Sequence, residues 1–84
     1  MIERTPQIEY PCPWNYRVIG DSEAAVRAVV ERAVVNGEWT LEHSNTSRGG
    51  KYVAMKLMVI VSSEQHRIQI GRTLNDDPRI HLVL

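Results

Sequence analysis

The sequence contains no phenylalanine and a single cysteine, Cys12, and its ten basic and ten acidic residues cancel to a formal charge of zero. One thiol cannot form an internal disulfide, which disfavours a small secreted domain and favours a reducing cytoplasm. Without net charge, no overall field attracts the protein to nucleic acid or anionic lipid. We therefore expect a cytoplasmic protein with neither nucleic acid nor a membrane as its partner.

Long apolar runs are also missing. The longest, residues 53–61, is interrupted by Lys56 and is about half the length of a membrane span. The first ten residues include Glu3, Arg4 and Glu9, so they lack the apolar segment that an export signal requires. No targeting or anchoring segment is predicted.

Recognisable catalytic and metal-binding patterns are absent as well. The three histidines and Cys12 do not have the short spacing of a structural zinc site. Neither a phosphate-binding loop with lysine before serine or threonine nor the nucleophile pattern of hydrolases occurs. We expect no catalytic residue, no metal and no cofactor, and therefore a protein that is not an enzyme.

Periodicity predicts six elements in one domain. Residues 1–13, with three of the four prolines, are interpreted as an irregular lead-in, and residues 14–84 as a single domain. Alternation with a period of two predicts strands over 14–20, 39–44, 51–61 and 79–84. Apolar residues three and four apart predict a helix from Asp21 or Ser22 to Val35, and Ser62 with Gln65 has the spacing of a capping box for a second helix over 63–74.

The order β-α-β-β-α-β indicates a ferredoxin-like α+β sandwich, with a four-stranded antiparallel sheet and both helices on one face. An unpaired ammonium is costly to bury, so Lys56 should point away from the helices. The residues then placed in the core are Val53, Met55, Leu57, Val59 and Val61. Those placed on the bare face are Tyr52, Ala54, Lys56, Met58 and Ile60. This face is more apolar than solvation requires, which predicts self-association or a partner protein.

The segment between the second and third strands offers a candidate ligand site. Ser47, Arg48, Gly49 and Gly50 can present amides and a cation to an anion, although a flexible hairpin loop explains the same composition. A fragment of an RNA-recognition motif is also matched here, by Gly50, Lys51, Tyr52 and Val53. The later aromatic positions of that motif are Met55 and Leu57 here, which disfavours RNA binding.

Three separated motifs resemble the YbeD-like family of small bacterial proteins: the opening YPCPW-YRVIG at 10–14 and 16–20, SRGGKY at 47–52 and IHLVL at 80–84. The resemblance implies a ferredoxin-like fold similar to ACT regulatory domains, and no established activity. Family members often occur beside lipoate-attachment enzymes in bacterial genomes, which makes a lipoate-pathway enzyme a candidate partner. ACT domains bind amino acids at the turn after the first strand, where a glycine follows an aspartate by two or three residues. Here Asp21 is followed by Ser22, Glu23 and Ala24, a departure that favours an ordinary helix cap.

Two hypotheses follow. The first is a non-enzymatic regulatory or adaptor module that associates through the bare sheet face or a sheet edge, as a homodimer or with an enzyme. The second is an ACT-like sensor of a small anionic metabolite, with Gly20, Asp21, Ser22 and Arg48 as its binding residues.

Overall fold

The computed structural model describes residues 9–35, 37–46 and 49–84. The elements follow the predicted order: β1 (Cys12–Gly20), α1 (Glu23–Ala33), β2 (Trp39–Thr46), β3 (Val53–Val61), α2 (Glu64–Asp76) and β4 (Ile80–Val83). The strands form one antiparallel sheet in the order β2-β3-β1-β4. Both helices pack on the same face of this sheet. The predicted ferredoxin-like α+β fold is confirmed.

Each helix is capped by the serine that precedes it. The Oγ of Ser22 accepts a hydrogen bond from the backbone N–H of Ala25 (3.1 Å), and the Oγ of Ser63 accepts one from the N–H of His66 (3.0 Å). These bonds satisfy amides that have no partner within the first turn. The predicted capping box of Ser62 and Gln65 is wrong by one residue, because Ser62 donates its own backbone N–H to Nδ1 of His66 (3.0 Å) instead.

The core lies between the helices and alternate residues of the strands. Met55, Leu57, Val59 and Val61 are at most 1% exposed, whereas Lys56 is exposed on the opposite side. Val53, at the start of β3, is half-buried against the core. The helices contribute Val26, Val29, Val30, Ile70 and Leu74, and Val34 follows directly after α1. The predicted orientation of the third strand is confirmed.

Strand β4 departs from the predicted alternation. Ile80 pairs with Gly20, but Leu82 pairs with Ile19 and Val83 with Val18, so the register shifts by one residue at His81. Such a bulge reverses the direction of every later side chain. The alternation predicted over residues 79–84 places Ile80, Leu82 and Leu84 on one face, which is wrong. Ile80 points to the core, and the two leucines point away from the helices.

Several element ends also differ from the predicted ones. Strand β1 begins at Cys12, so Cys12 and Pro13 belong to the sheet and not to an irregular lead-in. Strand β3 begins at Val53, which leaves Tyr52 just before it. Helix α1 ends at Ala33, two residues before Val35. Residues 1–8 and Asn36 lie outside the described residues.

The turn from α2 to β4 is held by Asp77. Arg79 donates from its backbone N–H and from Nε to Oδ1 (2.9 and 3.0 Å), and from Nη2 to Oδ2 (3.0 Å). Arg32 of α1 lies 3.8 Å from the same carboxylate. The hydrogen bonds from Arg79, followed by the charges of the two arginines, lower the pKa of Asp77 to about 2.

We expect this carboxylate to make the fold sensitive to acid. The folded-state pKa of about 2 is below the unfolded value of about 3.9, so the stabilisation is complete above the unfolded pKa and is lost as the pH falls toward 2. The Asp77→Asn side chain can still accept the hydrogen bond from the backbone N–H of Arg79, but it has no negative charge to attract the two arginines. Urea unfolding between pH 6 and pH 2 should show the difference between wild type and variant shrinking with falling pH. A constant difference would contradict this role.

Candidate functional site

The sheet face opposite the helices, here called the outer face, is built from alternate residues of all four strands. Pairing between the strands places these residues in register across the sheet. The residues are Pro13, Asn15, Arg17 and Ile19 of β1, Thr40 and Glu42 of β2, Ala54, Lys56, Met58 and Ile60 of β3, and Leu82 and Leu84 at β4. Neither helix covers this face, and its side chains are absent from the core cluster.

The outer face has apolar ends and a charged middle. At one end Leu82, Ile19 and Ala54 form a row across β4, β1 and β3. At the other end Met58 and Ile60 follow each other along β3, next to β1. Leu82 is 43% exposed and Leu84 is 68% exposed. The face therefore offers apolar surface to solvent on both sides of the charged row.

Two cations stand side by side in that row. Arg17 pairs with Lys56 across β1 and β3, and Glu42 pairs with Lys56 from β2. Arg17 exchanges both of its backbone hydrogen bonds with Leu84 (3.0 and 2.8 Å), so its pair with Lys56 is of the non-hydrogen-bonded type. Opposite Cα atoms are then only about 4.5 Å apart, and like charges in such a pair destabilise the sheet.

Neither cation has an ion-pair partner in the described part of the chain. Arg17 and Lys56 line a depression of about 440 Å³ together with Asn15, Tyr16 and Leu84. The described lining contains no carboxylate side chain. The depression is therefore suited to receive an anionic group flanked by apolar contacts.

The residues predicted for the bare face are found there, with one exception. Ala54, Lys56, Met58 and Ile60 lie on the outer face of β3. Tyr52 precedes the strand, and its ring contacts that of His81 edge to face, with centroids 4.6 Å apart. Sequence reasoning missed Arg17, because the alternation of β1 alone does not say which partner residue stands opposite it.

Gly20, predicted as a ligand-binding residue, is required by packing. A Cβ at this position would lie 2.5 Å from Cγ2 of Val26 and 3.0 Å from the carbonyl oxygen of Arg79. The absence of a side chain lets α1 and the start of β4 approach the end of β1. This role needs no ligand.

Asp21 and Ser22, predicted for the same site, also have partners within the fold. The carboxylate of Asp21 accepts a hydrogen bond from Nε2 of His81 (2.5 Å). The backbone N–H of Asp21 donates to the carbonyl oxygen of Arg79 (3.0 Å). Ser22 caps α1. The helix cap is therefore Ser22 and not Asp21, and Asp21 ties the turn to β4. A ligand site at this turn stays a prediction.

Gly49 and Gly50 of the glycine-rich loop come shortly before β3, at the same end of the sheet as this turn, because Gly20 pairs with Val53 at the start of β3. Gly49 and Gly50 have φ values of 85° and 70°, a conformation that favours glycine. Ser47 and Arg48, the other predicted anion-binding residues, lie outside the described residues. The anion site in this loop stays a prediction.

The remaining classes of site are metal centres and membrane-spanning helices. Within residues 9–35, 37–46 and 49–84, no group of three histidine, cysteine, aspartate or glutamate side chains is arranged to hold a metal ion. No helix in the same ranges has the length and apolar content needed to cross a membrane.

Comparisons with known proteins give relatives along nearly the whole chain. A UPF0250 protein of Pseudomonas syringae pv. tomato is 33% identical over 86 residues, covering 96% of this chain and 93% of that protein. The Campylobacter jejuni protein Cj0253, described as uncharacterized, is 35% identical over 69 residues, covering 82% of this chain and 79% of the relative. These relatives are small proteins without an assigned activity, and they confirm the YbeD-like resemblance.

A solved structure has the same fold. The solution structure of protein HP0495 from Helicobacter pylori matches with a TM-score of 0.81 and 28% identity, covering 96% of this chain and 89% of that one. The model of a protein family of unknown function, DUF493, matches residues 5–84. Because this match spans almost the entire sequence, the chain belongs to the DUF493 family.

Proposed function

We propose that this protein is a non-enzymatic regulatory or adaptor module that binds a partner protein through its outer face. The observation that carries the proposal is the pair of adjacent cations, Arg17 and Lys56, on a face with apolar ends that neither α1 nor α2 covers. An uncovered face of mixed apolar and charged residues is typical of interaction surfaces.

The free protein is destabilised by this arrangement. Like charges directly opposite each other destabilise a sheet, and Glu42 stands beside Lys56 but not beside Arg17. An acidic group from a partner would relieve the repulsion while apolar side chains cover Ile19 and Met58. Local features that reduce stability without a packing benefit are most often found at functional surfaces.

A partner with an acidic group fits this face better than a second copy of the chain does. Two outer faces related by a twofold axis through the charged row would oppose Arg17 with Glu42 of the other copy, but they would also oppose Lys56 with Lys56. A homodimer through this face therefore keeps part of the repulsion. A lipoate-pathway enzyme is a candidate partner on the family resemblance alone.

Capture from the native cell tests the proposal. Immobilised wild-type protein is expected to retain one partner in a fixed molar ratio, and Lys56→Glu is expected to lose it because the variant reverses a charge at the centre of the outer face. Arg27→Glu, an exposed position of α1 with the same charge change, should retain the partner. Equal retention by Lys56→Glu, or no partner in a fixed ratio, would contradict the proposal.

The metabolite sensor is the second candidate, supported by the placement of the Gly20 turn and the glycine-rich loop at one end of the sheet. Thermal denaturation in the presence of amino acids, lipoate and nucleotides separates the two. A ligand at one hundred times its dissociation constant adds about 2.7 kcal/mol of stability. The adaptor proposal predicts no such shift, whereas a shift that Asp21→Ala removes would favour the sensor.

A further inference from the structure

Strand β1 is longer than the strand that covers its outer edge. β1 has nine residues and β4 has four, and their pairing extends from Gly20 only to the bonds between Arg17 and Leu84. In the described part of the chain, residues 12–16 have β3 on one side and no strand on the other. This part of β1 is called the open edge.

The open edge presents backbone groups in a fixed pattern. Because Arg17 directs its N–H and C=O toward β4, the alternation of an antiparallel ladder directs those of Asn15 to the same side. Pro13, two residues earlier, can supply only its carbonyl oxygen. The open edge therefore offers one donor and two acceptors to an added strand.

Helix α2 forms a wall beside the open edge. A groove of about 540 Å³ runs between them and is lined by Trp14, Asn15, Arg67, Ile68, Gly71 and Arg72, among others. Gly71 leaves space at its centre, since even a Cβ there would be 3.7 Å from the ring of Tyr16. Ile68 is 47% exposed and supplies apolar surface to the groove.

The wall is fixed by contacts to β1. The guanidinium of Arg67 stacks on the ring of Trp14, 4.3 Å from its centroid, and the hydroxyl of Tyr16 donates to the backbone carbonyl of Arg67 (2.7 Å). Burial raises the pKa of Tyr16, so this hydroxyl stays a donor at neutral pH. Nε of Arg67 is buried and has no hydrogen-bond partner among the described residues.

The groove is positively charged, which favours an acidic ligand. Arg67 and Arg72 line it, and the described lining contains no acidic side chain. Glu64 lies 3.5 Å from Arg67, but this carboxylate is 70% exposed, and such surface pairs are weak. A second copy of the chain would bring its own arginines into the groove, so charge disfavours self-pairing at this edge.

The opposite edge of the sheet lacks these features. Strand β2 carries a register shift between His43 and Asn45, and its exposed residues are polar. Bulges and polar side chains are the usual protection of an edge strand against pairing. The open edge of β1 is the better site for an additional strand.

We propose that the open edge of β1 binds an extended, acidic peptide segment of a partner protein by strand addition. The segment would pair with Asn15 in the line of β4, direct alternate carboxylates toward Arg67 and Arg72, and cover Ile68. This site is formed by the β1 edge and α2, whereas the outer face is the opposite surface of the sheet, so the two proposals can fail independently.

Titration of the ¹⁵N-labelled protein with matched peptides tests this proposal. The probe is an extended peptide of alternating threonine or valine and glutamate, and its controls carry lysine in place of glutamate or an N-methylated central amide. The glutamate peptide is expected to shift the Asn15 amide signal. The affinities of the two control peptides are expected to be lower by at least about tenfold.

Charge exchange completes the test. Arg72→Glu should abolish the preference for the glutamate peptide, because the new carboxylate offsets the charge of Arg67. Arg27→Glu, with the same charge change on the exposed face of α1, should leave both affinities unchanged. No binding by the glutamate peptide, equal binding of both peptides to wild type, or an unshifted Asn15 amide would overturn the proposal.

Discussion

Replacement of Leu57 by alanine is expected to lower the free energy of unfolding by about 2–5 kcal/mol, the range for truncating a large apolar side chain in a core. Leu57 is 1% exposed and lies beneath the helices. For a domain of this size the loss is a large fraction of the total stability. A substantial part of the variant should be unfolded at physiological temperature.

Met58→Ala is the matched control for this prediction. Met58 is the next residue of the same strand but lies on the outer face, where its side chain is only partly buried. We expect a loss of about 1 kcal/mol or less, since truncation opens no closed cavity. Urea unfolding of both variants gives the comparison. Equal losses, or the larger loss in Met58→Ala, would contradict the orientation of β3.

Arg17→Glu is expected to change stability and binding in opposite directions. The new carboxylate would stand opposite Lys56 and replace a repulsion by an attraction, which should stabilise the fold by about 0.2–1 kcal/mol. The same change would repel the acidic group that we assign to the partner, and loss of a charge contact in an interface of this kind commonly costs tenfold or more in affinity, about 1.4 kcal/mol or more.

Arg17→Gln separates the two effects, because it removes the repulsion without adding an attraction. Its stability should lie between those of wild type and Arg17→Glu, and its binding should be weakened less. Thermal unfolding gives the stability order, and titration with the captured partner gives the affinities. This role of the two cations is contradicted if Arg17→Glu is less stable than wild type, or if it binds the captured partner as tightly as wild type does.

The architecture was predictable from the sequence because a few residues constrain it strongly. Lys56 interrupts an apolar strand, and the cost of burying its charge decides which neighbours face the helices. The apolar stripe of α1 and the serine before it likewise define a helix against the sheet. Once two helices and four strands are arranged in this order, few topologies remain.

Features that depend on how strands are paired were not predictable. The bulge at His81 moves Leu82 and Leu84 to the outer face, and no local pattern distinguishes a bulged strand from a regular one. The juxtaposition of Arg17 and Lys56 depends on the register between β1 and β3. The open edge depends on the difference in length between β1 and β4.

Small shifts at element ends had a similar cause. Two adjacent serines precede α2, and serine is a good capping residue at either position. Only the path of the backbone decides that Ser63 is the cap. Pro13 is compatible with a strand because its missing donor faces the open edge and not β3. The sequence alone contains neither fact.

Chemical-shift mapping of the captured partner on the labelled protein tests the central proposal most directly. Signals from Ala54, Lys56, Met58 and Ile60, together with the Arg17 amide, are expected to shift on binding, while those of the exposed face of α1 around Arg27 remain in place. Shifts confined to the helices, with the outer face unchanged, would contradict the assignment of this face as the partner surface.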